Sequence, residues 1–105
     1  MKKFGLEQKS IDVITSIFEQ YEEIEQVIIY GSRAMGNFRP GSDIDLTIKA
    51  DSFSFSDVAA IENQIDDLML PYKIDISLFH QIEDPDLLAH IERAGRVFYK
   101  NKMSS

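Results

Sequence analysis

Asp43-Ile44-Asp45-Leu46-Thr47-Ile48 alternates polar and apolar residues with a period of two, and Lys73-Ile74-Asp75-Ile76-Ser77-Leu78 repeats the alternation. Successive side chains of an extended chain point to opposite faces, so Asp43, Asp45 and Thr47 share one face while Ile44, Leu46 and Ile48 share the other. Lys73, Asp75 and Ser77 oppose Ile74, Ile76 and Leu78 in the same way. The apolar sets belong against a core, which turns all three aspartates away from it. Residues 49–72 are long enough for a helical crossover, so the two strands can run side by side. Three carboxylates then gather on one open sheet face.

Upstream, Val27-Ile28-Ile29-Tyr30 is a β-branched and aromatic run ending at Gly31, as a buried strand would. Ile11, Ile14, Phe18 and Tyr21 fall at helical spacing, which predicts a helix from Ser10 to about Tyr21 with Ser10 as its cap. Val58, Ile61, Ile65 and Leu68 predict a second helix, capped by Ser54 or Ser56 and stopped by Pro71. A third begins with Asp84 as cap and Pro85 as first residue, and runs towards Gly95. The order α-β-loop-β-α-β-α implies an α/β fold: a small mixed sheet with helices packed on one side, expected to fill residues 1–105 as one domain.

Composition narrows the function classes. There is no cysteine, so disulfides and thiolate metal sites are excluded. The basic start, Met1-Lys2-Lys3, leads into no long apolar stretch, so a cytoplasmic protein is expected, with no role for a membrane. The formal charge of −7 repels polyphosphate chains and argues against a nucleic-acid binder, though not against one small phosphate ligand escorted by metal. His80 and His90 are too far apart for a paired metal motif, so solvated or capping roles are expected for both. Tyr21, Tyr72 and Tyr99 read as packing residues, and Phe53-Ser54-Phe55 as a cap on the core edge or a partner contact.

A carboxylate cluster is costly when nothing binds it, because like charges raise one another's pKa and a divalent cation removes that penalty. Hard oxygen ligands select Mg²⁺ or Mn²⁺. The plain alternative is that these aspartates form the wet face of a half-exposed sheet. Asp43-Ile44-Asp45 alone fits that alternative, but aspartate is depleted in strands, and three like-facing copies fit it less well. Gly31-Ser32 ends a strand with ten residues between it and Asp43. Glycine there permits tight geometry, and the following amides with the Ser32 hydroxyl can cradle phosphate oxygens. Arg33 and Arg39 add positive charge to an otherwise acidic chain.

Together, Gly31-Ser32-Arg33-Ala34-Met35-Gly36 and Arg39-Pro40-Gly41-Ser42-Asp43-Ile44-Asp45-Leu46 resemble the signature of the polymerase-β-like nucleotidyltransferase superfamily, and within it the minimal (MNT) branch. Leu70-Pro71-Tyr72-Lys73-Ile74-Asp75 is similar to the segment with that family's third carboxylate, and Pro85, Leu88, His90-Ile91, Gly95 and Tyr99 resemble its tail. The likeness is weakest before Glu25 and after Lys100. It implies that Asp43 and Asp45 hold the metals, that Asp75 joins them and helps activate the attacking hydroxyl, and that Gly31, Ser32, Arg33 and Ser42 bind the triphosphate. Met35 stands where many relatives carry a second arginine.

The resemblance further implies two Mg²⁺ ions (Mn²⁺ as substitute), ATP as donor of AMP, and an all-helical HEPN protein as partner. In such a pair this chain would be the antitoxin, adenylylating a hydroxyl of its toxin. Two other readings stay open here: a binding antitoxin without catalysis, and a small-molecule transferase like the aminoglycoside enzymes. The latter would need a homo-oligomer to build its pocket.

Overall fold

The computed structural model describes residues 2–102. A short hairpin comes first, pairing β1 (Lys2–Lys3) with β2 (Leu6–Glu7). It is followed by α1 (Gln8–Phe18), β3 (Gln26–Tyr30), the single-turn α2 (Ser32–Met35), β4 (Ile44–Lys49) and α3 (Phe55–Asp66). β5 (Ile74–Leu78), a 3₁₀ turn (Phe79–Gln81), α4 (Pro85–Ala94) and β6 (Arg96–Lys100) complete the chain. The main sheet is mixed, in the order β5-β4-β3-β6, and only the β4–β5 pair is parallel. The helical crossover between these two is α3, as the spacing predicts.

Parity sets the layers. Ile44, Leu46 and Ile48 of β4 and Val27 and Ile29 of β3 are wholly buried, in one cluster with Ile11, Ile14, Ile17 and Phe18 of α1 and Val58, Ile61 and Ile65 of α3. These two helices cover one side of the sheet, as expected. α4 adds a helix to the other side, where Ile28, of opposite parity to Val27 and Ile29, is buried next to it.

Four local expectations are revised. α1 starts at Gln8, directly after β2, and ends at Phe18, so Ser10 lies inside it and caps nothing. α3 ends at Asp66, before Pro71, and the chain turns through Met69 at φ +55°. Its start agrees better: the Asp57 carboxylate accepts the Ser54 amide at 2.9 Å. Asp84 caps α4 by accepting the Asp86 amide at 2.9 Å, with Pro85 first in the helix. β6 was absent from the predicted order, because Val97-Phe98-Tyr99 does not alternate. A bulge opposite Val27 and Ile28 explains this: it lets Phe98 and Tyr99 both reach Phe18 of α1. Among the described residues no helix is long and apolar enough to cross a membrane.

Candidate active site

Strand register assembles the acidic face. Asp45 stands beside Asp75 on the parallel partner and beside Tyr30 on the antiparallel one, so the three form a row across β3, β4 and β5. Asp43 lies just ahead of β4 with the parity of Asp45. Asp43 and Asp75 are exposed, and Asp45 is partly buried. Burial pushes the Asp45 carboxyl above its usual range, Asp75 and Asp43 push the same way, and His90 opposes them. The Tyr30 hydroxyl is also pushed up by burial and by Asp45 and Asp75, against a hydrogen bond with Ser77. The row therefore carries a surplus of negative charge that the free chain does not neutralise.

Gly31 is the hinge between β3 and this row. Its backbone sits at φ +78°, ψ −158°, a region essentially reserved for glycine. A Cβ built there would lie 2.6 Å from the Asp45 Oδ2, so the missing side chain also makes room for the carboxylate. The Gly31 carbonyl accepts the amides of Ala34 and Met35 at 3.2 and 3.1 Å, folding α2 back over it. Ser32 opens α2, so its amide has no intrahelical acceptor, and the residue is half-buried.

Arg33 is placed otherwise than a triphosphate contact requires, and Ser42 is engaged within the loop. The Arg33 side chain turns inward and is 2% exposed. Its Nε and Nη2 donate to the Ser42 carbonyl at 3.1 and 2.9 Å, and its Nη1 donates to the Phe4 carbonyl at 2.9 Å. The rings of Phe38 and Tyr72 each lie 5.2 Å from the guanidinium carbon. The Ser42 hydroxyl accepts the Arg39 amide at 2.8 Å. Both residues thus build the loop that leads into Asp43 and tie it to the N-terminal hairpin. Spacing alone could not separate an inward arginine from an outward one.

The reading of spacing also missed His90. Its Nε2 accepts the Gly31 N–H at 3.0 Å, and its ring meets the Tyr30 ring edge-on at 6.2 Å. A histidine on α4 reaches the glycine loop only because α4 lies over β3, a placement that no spacing in the chain announces.

No three His, Asp or Glu side chains among the described residues converge closely enough to form a ready-made metal cage. The donor chemistry nevertheless suits Mg²⁺: hard carboxylate oxygens on one face, with Asp45 already strained by its neighbours. Mg²⁺ commonly takes only one or two protein carboxylates and completes its shell with water and phosphate oxygens.

Several solved structures share this fold. A chain of a MntA–HpeT toxin–antitoxin mutant superposes with a TM-score of 0.67 at 12% identity, over 89% of this chain and 74% of that one. A toxin–antitoxin structure with AMP-PNP gives 0.68 at 14% identity, over 89% and 74%. A structure of a tri-AMPylated Shewanella oneidensis HEPN toxin in complex with MNT antitoxin gives 0.65 at 12%, over 90% and 73%. At such identities the likeness establishes the fold alone, and no curated protein matches the sequence. The family model described as "Polymerase beta, Nucleotidyltransferase" matches residues 12–104, and the chain therefore belongs to that nucleotidyltransferase family.

Proposed function

We propose that this protein transfers AMP from ATP to a hydroxyl group of a partner protein of the HEPN kind, and so acts as an antitoxin in the cytoplasm. The observation that carries the reading is the register of Asp45 against Asp75 beside the glycine loop. Two carboxylates side by side on adjacent strands of one face support a shared metal and phosphate site.

The roles follow from position. Asp43 and Asp45 would hold Mg²⁺, with Asp75 beside them, and the ion when bound neutralises charge on the triphosphate. Gly31 shapes the loop, and Ser32 steadies the phosphates through its backbone amide and hydroxyl. Asp75 is exposed, so an incoming hydroxyl can reach it. It takes the hydroxyl proton as the oxygen attacks the α-phosphorus, the bond to the β-phosphate oxygen breaks, and pyrophosphate leaves.

Two observations favour a macromolecular acceptor. Asp43 and Asp75 are exposed, and a concavity of about 570 Å³ lies elsewhere, between α1 and β6, lined by Lys3, Asp12, Tyr99 and Lys100 among others. A large acceptor brings its own surface to an open face. The net charge of −7 disfavours RNA, whose binding rests on many phosphate contacts. The similar folds solved with AMP-PNP and with an AMPylated HEPN toxin support ATP and such a partner.

The test is mass spectrometry of the HEPN partner after incubation with ATP and Mg²⁺. One or more adenylyl groups should be gained with the wild type, and the rate should fall about 10²- to 10⁴-fold with Asp75→Asn while partner binding persists. A partner tightly held and never modified would overturn transfer in favour of inhibition by binding alone.

A further inference from the structure

We infer that His90 is a positioning residue of the glycine loop: by accepting the Gly31 N–H it holds the conformation in which Gly31 packs against Asp45 and Ser32 opens α2. The inference rests on the nucleotidyltransferase reading of the site and assigns it a component from the far end of the chain.

The Gly31 N–H directly follows the last residue of β3. The His90 Nε2 meets it at 3.0 Å. Acceptance at Nε2 leaves Nδ1 to carry the ring proton. A partly buried amide without an acceptor is destabilising, and Gly31 already occupies a conformation that few backbones adopt. Losing the acceptor therefore frees a residue that packs directly against Asp45.

The imidazole and the helix that carries it are held in place by three features. Its ring lies edge-on against Tyr30. The next residue, Ile91, is buried. Gly95 caps the end of α4, and an added Cβ there would clash with the Ile91 carbonyl and meet the Ile28 Cγ2 at 2.7 Å. Gly95 thus lets the end of α4 press onto β3, and this close approach brings His90 within reach of Gly31. A surface histidine needs none of these supports.

Two variants separate the hydrogen bond from the packing. His90→Phe keeps a ring against Tyr30 and removes the acceptor; His90→Gln keeps an acceptor and removes the ring. Three readouts apply to each: Gly31 amide exchange by NMR without ligand, AMP-PNP affinity in Mg²⁺ by calorimetry, and Mn²⁺ affinity without nucleotide. In His90→Phe the Gly31 amide should exchange about tenfold faster and AMP-PNP should bind about five- to tenfold more weakly, the weight of one hydrogen bond. Mn²⁺ affinity should stay within about twofold, and His90→Gln should recover most of both losses. Wild-type Gly31 protection in His90→Phe, or no recovery in His90→Gln, would overturn the inference. So would a parallel fall in Mn²⁺ affinity, which would make His90 a metal ligand. Failure of the wild type to bind AMP-PNP would instead overturn the transferase reading, and Gly31 exchange would still decide whether His90 holds the loop.

Discussion

β4 carries two regions with opposite economies on the two sides of one backbone. Ile44, Leu46 and Ile48 are wholly buried against α1 and α3. One residue out of step, Asp45 shares the other side with Asp75 and Asp43, and its carboxyl is pushed up by burial and by both neighbours. Backbone pairing is common to the two sides, so the difference lies in the side chains alone. The apolar side stabilises the fold and does no chemistry. The acidic side costs stability in the free chain and supplies the charge that a cation and a triphosphate need. A short domain can tolerate that cost because its core is built from the other parity of the same strand.

The largest effect that would break this comparison belongs to the apolar side. Leu46→Ala removes a fully buried side chain and should cost about 2–5 kcal/mol, read as a fall in the urea midpoint at unchanged slope. A loss under about 0.5 kcal/mol would mean that the core does not rest on this parity.

The loop between the two regions should respond next. Arg33→Lys keeps the charge but loses the planar fork that serves the Ser42 and Phe4 carbonyls and stacks between Phe38 and Tyr72. It should cost about 1–3 kcal/mol by thermal melting. Arg33→Lys that melts like the wild type yet binds ATP poorly would return Arg33 to the triphosphate.

The smallest effect has the opposite sign. A carboxyl raised above its unfolded value gives full stability below the unfolded pKa and loses it as pH rises through the folded value. At pH 7 ionised Asp45 therefore destabilises the fold, and Asp45→Asn should raise Tm by about 1–4 °C after allowance for solvent screening. The gain should vanish below about pH 3.9, where both states are protonated. Calorimetry at the two pH values checks this, and a lower Tm for Asp45→Asn at pH 7 would remove the strain on which the comparison rests.

Much of this was legible before any coordinates. Strict alternation at Asp43–Ile48 and Lys73–Leu78 announced both strands and the common face of their aspartates, because a period of two survives any packing around it. Asp84-Pro85 announced the start of α4, since capping is a local event. β6 was hidden by its bulge, which let adjacent aromatics face the same way and erased the alternation. Ser10 misled because serine caps helices only where the chain turns into one, and here the turn is made by the hairpin that precedes it.

The sequence by itself determined the sheet face on which three carboxylates stand, because side-chain parity is a property of the extended chain. It also determined the need for glycine at position 31, where the strand ends against that face. Tertiary structure alone decided which polar residues meet there. Arg33 turns inward because two carbonyls and two rings from distant segments offer it a better site than solvent does. His90 reaches Gly31, 59 residues away in sequence, because α4 lies over β3. Contacts of that length follow from how elements pack, and neither periodicity nor spacing encodes them.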